Sequence, residues 1–255
     1  MVKIFIDPGH GGTDPGAVGY GLLEKEVVLK IAKKMRNLLS RYDNVVVELS
    51  RDDDRYLSLS QRAEMANDWG ADIFISIHIN SAANKSAAGF ETFIYNGSVS
   101  QPTVANQNVI HAEIARSIGL KDRGKKRANY AVLRETKMPA ILTENGFISN
   151  ANDAAKLKED SFLDKIAQGH VNGLVKVYGL KSKQNIVNIY TGGYRGTGLA
   201  KIHEFLLYNN FWYKPMRLSD GSMSFLIGGF TVGGPTYHKM KKFLEDNKFW
   251  YEIRQ

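Results

Sequence analysis

The chain has no cysteine among its 255 residues. Disulfides and thiolate metal sites are thereby excluded, and any metal has to be held by His, Asp or Glu. Long apolar runs are missing as well. Nothing approaches the roughly 18 consecutive apolar residues of a membrane helix, and the apolar stretch in the opening MVKIFIDPGHGG is too short for the core of a secretion signal. The expectation is a protein made in the cytoplasm, not associated with membrane, that acts outside only if something else releases it. The net charge is +8, yet no recognised nucleic-acid-binding motif accompanies it, so nucleic acid is not an expected partner. Charged and apolar fractions are ordinary, which argues for a packed core rather than disorder.

What the chain does have is a set of short apolar runs that end on chemistry. Ala71 to Asn80, ADIFISIHIN, is an apolar run of strand length that delivers His78 at its end. Its continuous apolarity suits a strand covered on both faces in a parallel sheet. Val2 to Ile6 empties into Asp7-Pro8-Gly9-His10, and Pro139 to Thr143 into Glu144-Asn145-Gly146. In open α/β sheets ligands sit beyond the carboxyl ends of the strands, so these three endings would bring His10, His78 and Glu144 to one rim.

Between the runs, a glycine-rich loop spans Gly9 to Gly21. Glu24 opens a helix with Val27, Val28, Ile31, Ala32, Met35, Leu38 and Leu39 at helical spacing. Further strands are expected at Val45–Leu49, Phe90–Tyr95 and Tyr130–Arg134, and helices at Ser60–Trp69, Thr103–Ile118 and Ser161–Val177. Lys121 to Arg127 reads as a basic, solvated loop. Strands alternating with helices predict an α/β fold with a mostly parallel twisted sheet and helices on both faces.

A polar break at 181–185 is the expected linker, dividing residues 1–180 from 186–255. Residues 181–255 are basic, with 11 Lys/Arg against 5 Asp/Glu, and residues 186–255 hold 14 of the 27 aromatic residues. It also repeats itself: Ile189-Tyr-Thr-Gly-Gly-Tyr194 resembles Phe225-Leu-Ile-Gly-Gly-Phe230, and Asn210-Phe-Trp-Tyr213 resembles Lys248-Phe-Trp-Tyr251. Two βαβ-like copies of this size predict one small α+β domain, since neither could bury a core alone.

Catalytic zinc sites use three protein ligands from His and carboxylate and leave a position open. His10, His78 and a carboxylate would satisfy that. Taken singly the residues say little, because a lone histidine is more often a hydrogen-bonded core residue and Glu24 suits a helix N-terminus. His111, His170, His203 and His238 are read as packing or surface residues. Arg51 is expected to pair with a nearby Asp, with a substrate carboxylate as the alternative. Asn80 is expected to contact substrate or brace its loop, and Asp7 to hydrogen-bond the His10 ring or brace the turn.

The motifs DPGHGG (Asp7–Gly12), LLEKE (Leu22–Glu26), SIHIN (Ser76–Asn80) and LTENGFISN (Leu142–Asn150), with SRDDD and QRAEMAN between them, resemble the zinc-dependent N-acetylmuramoyl-L-alanine amidases of the Amidase_3 type. That family includes phage endolysins and sporulation autolysins. The resemblance covers about residues 1–180 and implies that His10, Glu24 and His78 are the zinc ligands, with Glu144 as general acid/base on the attacking water. It implies hydrolysis of the amide between N-acetylmuramic acid and L-alanine in peptidoglycan, lysing the bacterial wall. The tail resembles SPOR-like and endolysin wall-binding modules less specifically, implying that residues 186–255 bind a cell-wall glycopolymer. A monomer is expected. The alternatives are another zinc peptidase or hydrolase acting on wall peptides, since fold alone does not fix substrate, and a binding protein with an inactive front half.

Overall fold

The computed structural model describes residues 1–183 and 186–254; of the expected linker, residues 184 and 185 lie outside the described residues. The chain forms two compact units, Met1–Ser182 and Lys183–Gln255.

The first unit runs β1 (Val2–Pro8), β2 (Val18–Gly19), β3 (Leu22–Leu23), α1 (Glu24–Leu39), β4 (Val45–Leu49), α2 (Leu59–Trp69), β5 (Ile73–Asn80), β6 (Phe90–Tyr95), α3 (Gln101–Ile118), β7 (Asp122–Ala128), α4 (Ala131–Arg134), β8 (Ala140–Phe147), α5 (Ala151–Leu157) and α6 (Asp160–Tyr178). Its central sheet has the order β4-β1-β5-β8-β6-β7. All neighbours are parallel except β8 and β6, so the expected mostly parallel sheet is present.

Alternation along the strands sorts side chains onto two faces. Ile4, Ile6, Ile73, Ile75, Ile77 and Ile141 pack in the larger core with residues of α1, α3 and α6. Phe5, Phe74, Phe93 and Leu142 form a smaller cluster with Ala66 of α2 and Val132 and Leu133 of α4. Among the described residues this second face is covered by α2 and the short α4, and it is the face to which His78 and Glu144 belong by parity. Helix ends are locally encoded. Ser58 and Gln61 form a reciprocal capping box on α2, and Gly70 closes that helix in the left-handed conformation.

The structure differs from the local expectations at five places. Lys121–Arg127 is not a loop: Asp122–Ala128 is the edge strand β7, and exposed Lys and Arg on an edge strand are one way a sheet avoids pairing with other chains. Tyr130–Arg134 is not a strand but the single helical turn α4 with Tyr130 as its N-cap, too short to display a periodicity. The hairpin β2–β3 and the helix α5 were not expected. Finally, β8 continues to Phe147, because the antiparallel neighbour β6 extends its hydrogen bonding past Thr143; Glu144 therefore sits within the strand, as does His78 within β5.

The second unit runs β9 (Ile186–Thr191), α7 (Gly196–Tyr208), β10 (Tyr213–Arg217), β11 (Met223–Thr231), α8 (Pro235–Asp246) and β12 (Tyr251–Arg254). The antiparallel sheet order is β10-β11-β9-β12. Each copy's closing strand thus pairs with the other copy's opening strand. The helices meet through equivalent residues, Phe205 and Phe243, stacked with centroids 3.7 Å apart. A shared core of Val187, Ile189, Ile202, Leu206, Phe225, Ile227, Met240 and Leu244 follows, which neither copy could enclose alone.

Candidate metal centre

His10 follows β1 by two residues and adopts φ 60°, a left-handed conformation rare outside glycine. Two buried arginines hold it there. Arg51 donates to the carbonyls of Pro8, Gly9, Lys25 and Asp53, and Arg62 to those of Leu57, Pro8 and His10. Arg62 also pairs with the buried Asp7 at 2.8 Å, and Ser50 and Ser76 donate to the same carboxylate. Burial opposes the ionised form of Asp7, but the Arg62 charge and these hydrogen bonds outweigh it and hold the pKa low. Asp7 therefore braces the turn through Arg62, and Arg51 serves carbonyl oxygens rather than an aspartate or a substrate.

The His10 ring finds a different carboxylate. Its Nδ1 donates to Asp14 Oδ2 at 2.8 Å, a partner that sequence reasoning missed. The only hint was an acidic residue four positions on, in a loop without periodicity. Glu24 arrives by the β2–β3 hairpin, which folds the glycine-rich loop back: Glu24 N–H donates to Ala17 O, and Ala17 N–H to Glu24 Oε2 at 2.8 Å. The other carboxylate oxygen, Oε1, lies 3.2 Å from His10 Nε2 and 3.0 Å from His78 Nδ1, and accepts from Ile79 N–H. His10, Glu24 and His78 thus offer three ligand atoms within 4.8 Å of one another.

Glycine makes this convergence possible. A Cβ on Gly9 would fall 2.3 Å from His78 Cε1, and one on Gly16, whose φ is +66°, 2.7 Å from both Glu24 Oε2 and His10 Cδ2. Burial would raise the pKa of Glu24, but its hydrogen bonds to the two imidazoles bring it well below the usual range. Burial pulls His10 down while Glu24 and Asp14 pull it up, and the rise wins.

A metal fits this donor set. With Nδ1–H committed to Asp14, a neutral His10 presents its Nε2 lone pair to a carboxylate oxygen, acceptor against acceptor; a proton or a cation has to lie between them. Two imidazoles and one carboxylate, without thiolate, match zinc's borderline preference.

Glu144 stands beside the centre, in register with His78 across β5 and β8. Its Oε2 is buried with no hydrogen-bond partner among the described residues. Burial first, then the charges of Glu24 and Glu91, push its pKa well above the ordinary carboxylate value. A carboxyl whose protonated form is favoured in this way is suited to proton transfer. The cleft at His10 and His78 is walled by Tyr56, Leu57, Leu59 and Val132.

The remaining histidines are elsewhere. His111 bonds Thr92 and Asp122, His170 lies between Thr143 and Ile166 in the core, and His203 bonds the Tyr213 hydroxyl. Asn80 donates to Glu91, and its own side-chain oxygen accepts from Ser81 N–H, so it braces the strand end.

Over residues 4–176 the chain matches the family Amidase_3, described as N-acetylmuramoyl-L-alanine amidase. It is 50% identical over 198 residues to a sporulation-specific N-acetylmuramoyl-L-alanine amidase of Bacillus subtilis (strain 168), covering 76% of each chain. To the endolysin of Bacillus phage SPP1 it is 47% identical over 184 residues, covering 71% of this chain and 67% of that one. Among solved structures, the catalytic domain of CwlV, an N-acetylmuramoyl-L-alanine amidase from Bacillus (Paenibacillus) polymyxa var. colistinus, superposes with a TM-score of 0.68 at 38% identity, covering 71% of this chain and 100% of that one.

Proposed function

Because the chain belongs to the N-acetylmuramoyl-L-alanine amidase family, we propose that it hydrolyses the amide between the lactyl group of N-acetylmuramic acid and L-alanine of peptidoglycan, with zinc held by His10, Glu24 and His78 and with Glu144 as general acid/base. The observation that carries this reading is the meeting of two imidazoles and a carboxylate beside Glu144, whose Oε2 is buried with no hydrogen-bond partner among the described residues.

Zinc held there supplies Lewis acidity, which makes water more acidic and polarises a carbonyl. The chain's own residues do the rest. Glu144 takes a proton from the attacking water as its oxygen bonds to the carbonyl carbon, then gives a proton to the amide nitrogen as the C–N bond breaks. Burial favours the protonated carboxyl that the second step requires. Asp14 orients the His10 ring, and Glu24 both faces the imidazoles and ties down the β2–β3 hairpin.

We assign residues 186–255 to retention on a wall glycopolymer. Trp212 and Trp250, equivalent residues of the two copies, are 61% and 58% exposed, and each lies beside the glycine pair of the other copy, at Gly228 and Gly192. Half-exposed indoles on a basic unit suit a polar, ring-bearing polymer. The proposed site of action is the bacterial wall.

The test is product analysis of purified walls with and without chelator. New L-alanine amino termini without new reducing ends, lost on chelation, are expected. An intact lactyl amide with cut peptide bonds would shift the assignment to a zinc peptidase.

A further inference from the structure

Successive side chains of a regular strand point to opposite faces. On β7, Asp122 and Lys125 break that rule, because both reach α3: Asp122 accepts from His111 and Lys125 donates to Asn108. The cause is one extra residue. Register passes from Phe90↔Asp122 to Thr92↔Lys125, so Arg123 and Gly124 together oppose Glu91. Gly124 has φ +87°, the left-handed corner this bulge requires. Its consequence is that Arg123 and Lys126 both turn to the other face and converge on Glu91. Arg123 Nε donates to Glu91 Oε2 at 2.7 Å, Lys126 Nζ donates to the same oxygen, and Asn80 Nδ2 donates to Oε1 at 2.8 Å.

Glu91 on β6 lies directly opposite Glu144 on β8, on the same face, where side chains of an antiparallel pair stand about 5 Å apart. The clamp therefore borders the centre. Glu91 is buried, whereas the side chains of Arg123 and Lys126 remain 28% and 39% exposed. Arg123 lies over the Phe147 ring and Lys126 over Phe93, which further fixes them. Two cations on one carboxylate leave a surplus positive charge, preorganised and open to solvent, on β7 with only β6 between it and Glu144's strand.

We infer that Arg123 and Lys126, clamped on Glu91, form a subsite for a carboxylate on the peptide side of the scissile amide. The assignment rests on the amidase reading above. A muramoyl sugar presents hydroxyls and acetamide, which suit the Tyr56–Leu57–Val132 wall of the cleft, whereas the peptide presents carboxylates, which suit a guanidinium with donors to spare. The substrate then lies with its sugar on the α2 side and its peptide toward β6 and β7.

The test uses the full chain and two muramoyl peptides that differ only at the residue after L-alanine, carrying a free carboxylate or its carboxamide. The carboxamide is expected to raise KM by about 10- to 100-fold with kcat little changed. Arg123→Gln and Lys126→Gln each leave Glu91 one cation and are expected to shrink that ratio. Calorimetric binding of both peptides to Glu144→Gln reads the same preference without turnover. Equal affinity for the two peptides, or a preference untouched by both substitutions, overturns the subsite, as does a patch that holds only long-chain polyphosphate. Preferential binding without cleavage of the lactyl amide would instead leave the subsite standing and overturn the amidase reading.

Discussion

Gly9→Ala isolates the packing that aims His78 at the metal centre. Gly9 has no left-handed backbone angle, so alanine adds no backbone strain, only a methyl group. That methyl would lie 2.3 Å from Cε1, 2.5 Å from Nε2 and 2.8 Å from Nδ1 of His78. Carbon contacts settle near 3.5–4.0 Å, so something has to move by about 1 Å. The backbone is poorly placed to yield, because Arg51 Nη2 donates to Gly9 O at 2.7 Å and Gly9 N–H to Ile77 O at 3.1 Å. The imidazole yields instead. Metal bonds tolerate about 0.2 Å, so zinc affinity is expected to fall by at least the ~10- to 100-fold typical of disturbed ligand orientation, with an overpacking cost of about 1–3 kcal/mol in stability. Zinc competition against a chromophoric chelator reads the first effect and urea unfolding the second. Gly198→Ala is the control: its Cβ would meet only Phe249 Cε1, at 3.8 Å, and zinc binding should be unchanged. A Gly9→Ala protein that binds zinc as tightly as its parent and retains full activity would refute the geometry.

Glu144→Gln should keep zinc bound yet lower kcat by about 10²- to 10⁴-fold, measured as new alanine amino termini; undiminished turnover removes Glu144 from proton transfer. His170 predicts an acid limb in stability. Its Nδ1–H donates to Ile166 O and its Nε2 faces the Thr143 hydroxyl, so the ring is held neutral, and burial lowers its pKa from 6.5 to about 4. Between those values the unfolded chain binds the extra proton, so stability is lost as pH falls, by about 3 kcal/mol from this group alone. Urea midpoints at pH 7, 5.5 and 4 should show the loss, and His170→Gln should flatten it; an identical slope in the variant excludes His170 as the source. The Trp212→Ala/Trp250→Ala pair should cost about 2 kcal/mol, or ~30-fold, in wall affinity by co-sedimentation without altering cleavage of a soluble muramoyl peptide, and undiminished co-sedimentation counts against the tail's assignment.

The residues of the candidate centre could be brought together from the sequence to different degrees, for physical reasons. His10, His78 and Glu144 could be placed on one rim because an apolar run shows where a parallel strand lies, and the rim follows from the topology. Glu24 could be reached only through the motif it sits in. It opens α1 and comes to the centre because a two-residue hairpin reverses the glycine-rich loop, and such short pairing leaves no periodic trace. The paired copies of the tail were visible because repetition is itself a sequence property. That their strands interleave was not, since strand order depends on which edges are left unpaired.

The supporting groups were read least well, and burial explains why. Arg51 and Arg62 look like surface charges in the sequence, and pairing each with a nearby acid is the ordinary expectation. Once the Pro8–His10 segment is packed under α2, however, its carbonyls are cut off from water and must be satisfied by whatever donors reach them. A guanidinium reaches several at once, so Arg51 and Arg62 serve sites 42 and 52–55 residues away. The same necessity takes Asp7 from His10 and gives it to Arg62, leaving the imidazole to Asp14. Which residue types stand near the centre is thus a local property of the chain, but their orientation is a property of buried hydrogen-bond accounting, which only the assembled fold decides.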